Sequence, residues 1–135
     1  MAKSNGLGMT VSLDDSSGNP EAIGNDFTNL TFAMPRGVQD VTGVDKSAME
    51  RLLLLADASA TFNGVFDPAV SPSAHDVFKT IPSSSASRTC TLVVQAKTWT
   101  AELFLTDYPL NRNANGEFTF AVPGVLTGGT APAWT

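Results

Sequence analysis

Apolar and polar residues alternate over six short stretches of this chain, and a period of two is the mark of a strand with one face on a core. Gly8 to Asp14 sets Met9, Val11 and Leu13 on one side, and Asp26 to Met34 sets Thr28, Leu30, Phe32 and Met34 together. Ala58 to Asp67 aligns Ala58, Ala60, Phe62 and Phe66. Farther on, Arg88 to Gln95 presents Cys90, Leu92 and Val94, Trp99 to Leu105 presents Trp99, Ala101, Leu103 and Leu105, and Glu117 to Val122 presents Phe118, Phe120 and Val122. Thr, Ser, Asn and Glu occupy the opposite positions, as in an antiparallel sheet that packs one face inward. The fold expected is mainly β: a β-sandwich or small antiparallel β-barrel flanked by one α-helix.

That helix is expected from about Lys46 to Ala56. Asp45 or Ser47 suits an N-cap, and Ser47 with Glu50 has the spacing of a capping box. Met49, Leu52, Leu53 and Ala56 then share a helical face that would pack on the sheet. Between the third and fourth strands lies PAVSPSAHDVFKTIPSSSAS, residues 68–87, an insertion of a length that is usually functional or disordered. Pro72 and Ser73 are placed to start a short helical turn through Lys79. Val77, Phe78 and Ile81 have no periodic partner in the local core, so they are expected to dock on a neighbouring chain. A loop is expected from about Leu110 to Gly116, since a strict Asn115-Gly116 hairpin would set Asn113 and Asn111 opposite Phe118 and Phe120. The Gly- and Pro-rich stretch of about 123–135 is expected to be an extended tail, and residues of about 1–7 a short N-terminal arm.

Length and composition fit one domain over residues 1–135. No apolar run approaches the roughly 20 residues that cross a bilayer, so no membrane insertion is expected. The opening MAKSNGLGMTVSLDD lacks a signal-peptide core, which points to synthesis and retention in the cytosol. A formal charge of −5 and eight scattered basic residues argue against a protein that grips nucleic acid, because grip comes from Lys and Arg displacing counterions. Contact with DNA is compatible only if it is slippery.

Catalytic parts are missing. The single His75 has Ser73 and Asp76 beside it, but adjacency in sequence does not supply the convergence that a nucleophile, base and orienting acid need. One His and one Cys cannot close a zinc site, and the Asp14-Asp15 pair reads as solvated turn carboxylates. Cys90 lies on an apolar strand face, as a buried reduced thiol. Trp99, Phe104 and Tyr108 are the aromatics for a sugar or base platform, yet Trp99 shares parity with core residues. No enzyme activity, metal or cofactor is expected.

The segment DKSAMERLLLLADASATFNGVFD resembles the helix and following strand of the major tail tube proteins of long-tailed bacteriophages and gene-transfer particles, ending in Gly64, Phe66 and Asp67. The stretch TAELFLTDYPLNRNANGEFTFAVPG is similar to that family's closing hairpin. The resemblance implies a virion protein of the tail, put together in the host cytoplasm, that forms hexameric rings stacking into a hollow tube. It implies partners of tail assembly, namely the tape measure, tail terminator and distal tail proteins, and DNA that passes through the lumen without specific binding. Glu102 and Glu117, on polar faces of the closing hairpin, are the candidate lumen carboxylates. Two other readings stand beside it: a tail terminator or completion ring protein, and a β-sandwich carbohydrate-binding or adhesion module.

Overall fold

The computed structural model describes residues 3, 5–128 and 130–135. Parts of the expected N-terminal arm and of the tail, at residues 1, 2, 4 and 129, lie outside them. All six strands read from alternation are present: β1 (Thr10–Asp14), β3 (Phe27–Ala33), β6 (Ser59–Val65), β7 (Arg88–Val94), β8 (Lys97–Leu105) and β10 (Phe118–Leu126). Short strands join them, β2 (Pro20–Ala22), β9 (Leu110–Arg112) and β11 (Ala133–Trp134). Together they make one antiparallel nine-stranded sheet whose path runs β2-β1-β7-β8-β10-β6-β3, with β9 beside β10 and β11 beside β8. The chain is mainly β, with one lone helix and no closed barrel among the described residues.

The inner face is the alternating one. Leu13, Phe62, Cys90, Leu92, Trp99, Leu103 and Val122 are fully buried along it, and Ala58, Ala60 and Ala101 fill narrower places. Contacts across the sheet show that it rolls over its own core: Phe32 of β3 lies 5.0 Å from Trp99 of β8 by ring centroids. In β3 a bulge between Phe27 and Asn29 moves Thr28 out of step and turns Phe27 inward in its place. An extra residue on one strand shifts the parity that alternation alone would set. Thr28 is accordingly exposed.

Long strands β8 and β10 are staggered. They pair with each other only at Leu103, Phe104 and Leu105 opposite Leu126, Val125 and Gly124. The remainder of the same edge of β8 is taken by β11, through Thr100↔Ala133 and Trp99↔Trp134, and that of β10 by β9. Two expectations change here. The loop before Glu117 is shorter than 110–116, because β9 pairs Leu110 with Phe120, and a turn closed by the Gly116 N–H on the Asn113 carbonyl makes the return. Gly116 holds φ +94, the left-handed backbone that glycine adopts without strain. Nor are residues 123–135 simply an extended tail, since Pro123 to Leu126 continue β10 and Ala133–Trp134 is a strand.

The helix expected at Lys46–Ala56 is absent. Arg51–Ala56 is strand β5, paired with β4 (Arg36–Asp40) in a ribbon separate from the main sheet. The capping residues are otherwise engaged: the Glu50 N–H donates to Thr42 Oγ1 at 2.8 Å, and the Val41 N–H donates to the Glu50 carbonyl. Four successive leucines encircle most of a helix, whereas in a strand they fall two to each face and need no single apolar stripe. A helix of about 11 residues is marginal on propensity alone, and the partner strand supplies a ladder instead. Met49, Leu52 and Leu53 are therefore exposed and do not pack on the sheet, and Ala56 is half-buried.

The helix of the fold is α1 (Ala74–Phe78), inside the long insertion. Ser73 is its N-cap, accepting from the Asp76 N–H at 3.1 Å. Ala74, Val77 and Phe78 are fully buried in their own chain, and Ile81 packs against the same core. The expectation that Val77, Phe78 and Ile81 dock on a neighbour is thus overturned. Phe78 stands among Phe27, Phe62, Tyr108 and Phe120 at centroid distances of 5.5 to 6.4 Å. Alternation could not show this because α1 fills the core from outside the strand pattern.

Candidate functional site

Strand registers bring the outward positions into rows. Ser12, Thr91 and Thr100 are cross-strand neighbours on β1, β7 and β8. Asn29, Asn63 and Ala121 form another row, and Thr31, Thr61 and Pro123 a third, on β3, β6 and β10. The outer face of these six strands mixes hydroxyl and amide groups with the exposed Val65, Phe104 and Val125, and has no Lys or Arg at an outward position. Its charges are Asp14 and Glu102.

Glu102 sits outward on β8, opposite Thr89 of β7, whose hydroxyl donates to the carboxylate. Glu117 lies just before β10, where its carboxylate accepts from the Asn113 side-chain amide at 3.0 Å. The two are not brought together. Thr127 bonds to the Glu102 carbonyl, so Glu117 stands ten residues along the strand from that point. At about 3.3 Å per residue the separation is on the order of 30 Å.

A second surface is the ribbon β4–β5. Leu52, Leu53 and Leu55 are 55%, 62% and 91% exposed, and Val38, Leu54 and Met49 are also open to solvent. Contiguous apolar surface of this kind on a folded chain marks an interaction site. Sequence reading missed it by assigning those leucines to a helix face. The signal that would have found it is the leucine run itself, which is apolar at consecutive positions and follows neither period.

Residues that resemble catalytic parts have separate structural duties. Ser73 caps α1 and donates to the Ala69 carbonyl, Asp76 pairs with Lys79 at 2.9 Å, and His75 Nδ1 lies 3.0 Å from the Tyr108 hydroxyl. Burial pushes the Cys90 thiol up to about 12, so it is not a nucleophile at neutral pH. Trp99 is buried, with its indole N–H on Met34 Sδ, and it forms no platform with the exposed Phe104. The Asp15 carboxylate accepts from the Asn19 and Ser17 N–H groups, which lower its pKa and fix a turn. Among the described residues no cluster of His, Cys, Asp and Glu is arranged to hold a metal.

Asp26 ties the insertion to the sheet by accepting the Ala74 N–H at 2.7 Å. Burial raises its carboxyl above the ordinary value, and the Asp67 carboxyl beside it adds to the rise against that hydrogen bond. A raised folded value means that the favourable contribution is complete below the unfolded pKa of about 3.9 and fades as pH rises through the folded one. Asp26→Asn keeps an acceptor for Ala74 without the charge. It is expected to melt higher than the parent at neutral pH and to lose that advantage in acid. A lower melting temperature at neutral pH would show that the charge on the first turn of α1 outweighs its burial.

No protein-family model matches the chain, and no curated sequence matches it. Solved structures do. A chain from the tail of an empty GTA particle, refined helically with C6 symmetry, superposes with a TM-score of 0.77 at 20% identity, covering 98% of this chain and 99% of that one. A chain of the native gene transfer agent virion gives 0.77 at 18% identity, covering 98% and 99%. A chain from the structure of an extracellular contractile injection system, the PVC sheath/tube terminator in its extended state, gives 0.74 at 11% identity, covering 100% and 98%. Over nearly its whole length, this chain has the fold of tail components of gene transfer agents and contractile injection systems.

Proposed function

We propose that this chain is a structural, non-catalytic subunit of a phage-like tail: it closes into hexameric rings that stack as a tube, and DNA slides through the bore to the host cell. The observation that carries the reading is the exposed leucine ribbon, the longest run of exposed apolar side chains on the fold, which calls for other chains to cover it. The likeness to tail chains over the full length supports the same reading. The neutral Thr, Ser and Asn face suits a bore, since it offers phosphate no Lys or Arg on which to condense. Residues 1–135 act as one domain, assembled in the host cytoplasm and carried in the virion tail. Its partners there are tape measure, terminator and distal tail proteins.

A second reading, a terminator ring that does not polymerise, draws on the likeness to a chain in the structure of the PVC sheath/tube terminator. Negative-stain microscopy and sedimentation over rising concentration separate the two. Long tubes support the tube subunit, single rings the terminator, and monomer at every concentration refutes both.

Glu102, with Glu117, is our candidate for the lumen. Glu102→Lys leaves the fold intact, because the side chain is exposed, and adds a ring of six cations at each level of a tube. Particles carrying it are expected to assemble normally and to release DNA more slowly at low salt, with recovery as salt rises. Release at the parent rate at both salts would remove Glu102 from the bore.

A further inference from the structure

We propose that Asn115 is a site of spontaneous deamidation, at which the turn between β9 and β10 exchanges a neutral amide for a carboxylate as the protein ages. The inference is independent of the tail reading. Asparagine followed by glycine is reactive because glycine has no side chain to keep its amide nitrogen away from the asparagine carboxamide. The glycine nitrogen attacks Cγ and a C–N bond forms, while the side-chain nitrogen leaves as ammonia with the proton that the glycine N–H gives up. Water then opens the cyclic imide at either carbonyl. One C–N bond breaks, leaving aspartate or its isomer, in which the main chain runs through Cβ and Cγ.

Three asparagines precede glycine, Asn5, Asn63 and Asn115, and the fold treats them differently. Asn63 is locked. It lies in β6 between Asn29 of β3 and Ala121 of β10, and Gly64 is packed so closely that a Cβ there would collide with the Asp26 carbonyl and the Phe120 ring. Neither backbone nor side chain has room to close a ring. Asn5 is exposed, but its carboxamide oxygen is held by the Leu7 N–H at 3.0 Å. Asn115 is exposed within the turn, and among the described residues its carboxamide makes no hydrogen bond. A Cβ built on Gly116 would meet nothing within 4 Å, so the imide forms in open space. The attacking nitrogen is guarded by one bond, from the Gly116 N–H to the Asn113 carbonyl at 2.9 Å. A solvent-exposed turn bond opens far more readily than a ladder paired on both sides.

The product falls beside a charge and a short ladder. A carboxylate at 115 stands next but one to Glu117, whose own carboxylate accepts the Asn113 amide at 3.0 Å, and it adds a negative charge to a chain already at −5. The isomer disturbs more, because it inserts a carbon into a turn closed by the Gly116 bond and by the Asn113 N–H on the Glu117 carbonyl at 2.9 Å. β9 pairs with β10 only from Leu110 to Arg112, so it is the strand that loosens.

The test keeps the full chain in neutral buffer made with heavy-oxygen water, digests it at intervals and weighs the peptides. The peptide holding Asn115 is expected to gain heavy oxygen at least about tenfold faster than the one holding Asn63, and ahead of the one holding Asn5. Isoaspartyl methyltransferase is expected to label that same peptide, and hydrogen exchange to quicken at residues 110–112 of the converted chain. In urea, where the ladder around Asn63 is gone, the rates at Asn115 and Asn63 are expected to converge. Asn115→Gln, whose longer side chain closes a less favourable ring, is expected to abolish the main acidic band that appears on ageing. Conversion first at Asn5 or Asn63, an acidic band that persists in Asn115→Gln, or an Asn115 peptide of constant mass would overturn the inference. Unchanged exchange at residues 110–112 would overturn the loosening of β9.

Discussion

Phe78→Ala is expected to destabilise the dilute subunit by about 3–5 kcal/mol, the range for removing a buried aromatic ring from a core that cannot collapse around the gap. Phe78 is fully buried, and its ring is the common neighbour of Phe27, Phe62, Tyr108 and Phe120. Those residues come from β3, β6 and β10 and from the segment after β8, so the loss is felt across the sheet. Deleting Ala74 to Ile81 should be worse, because it also strips Asp26 of its Ala74 donor. Urea unfolding followed by tryptophan fluorescence measures the change. A change below about 1 kcal/mol would mean that α1 leaves the core readily, and would return the insertion to the docking role that its sequence suggests.

Arg88→Leu should also be costly, by about 1–3 kcal/mol for each buried acceptor it orphans, for a different reason. The guanidinium is buried and donates to the Val77 carbonyl at 2.8 Å, the Asp14 carbonyl at 3.2 Å and Thr80 Oγ1 at 3.0 Å. It thereby joins the end of α1 to β1 and to the start of β7. Burial lowers its pKa, partly offset by the nearby Asp15 and Asp14 carboxylates, yet no group of Arg type loses its proton at working pH. Leucine fills much of the space but orphans the carbonyls, and unsatisfied buried acceptors carry the desolvation cost in full. Arg88→Lys should recover only part of the loss, because one ammonium cannot reach three acceptors in the fork geometry. Hydrogen exchange should report the damage first in residues 74–81. A variant as stable as the parent would show that these carbonyls find water instead.

Strand reading succeeded where one rule controls the outcome. Cys90, Leu92, Trp99, Ala101 and Leu103 alternate because one side of β7 and β8 is core, and all five are buried, while Val94 and Leu105 at the strand ends are half-buried. Failure came where two rules compete. Leucine favours helix in isolation, and Ser47 with Glu50 happened to match a cap, but the deciding partner was Thr42, whose hydroxyl takes the Glu50 N–H. The β7–β8 turn was invisible for a related reason: Gln95 and Ala96 both hold positive φ, at 49° and 65°, where Asn-Gly would have announced the hairpin. LNR and AW are too short for any period, so β9 and β11 exist only through the strands they join. Of the candidate surfaces, the polar face bearing Glu102 was legible from parity. The ribbon was not, since its exposure reflects what is missing around it rather than anything local.

The stagger of β8 against β10 divides the sheet into two halves, β2-β1-β7-β8-β11 and β9-β10-β6-β3, joined by backbone only over the short stretch Glu102 to Thr106 against Pro123 to Thr127. Each half has its own ladders, so across the roll the two are closed on each other by rings instead of backbone, Phe32 of β3 against Trp99 of β8 and Trp134 of β11.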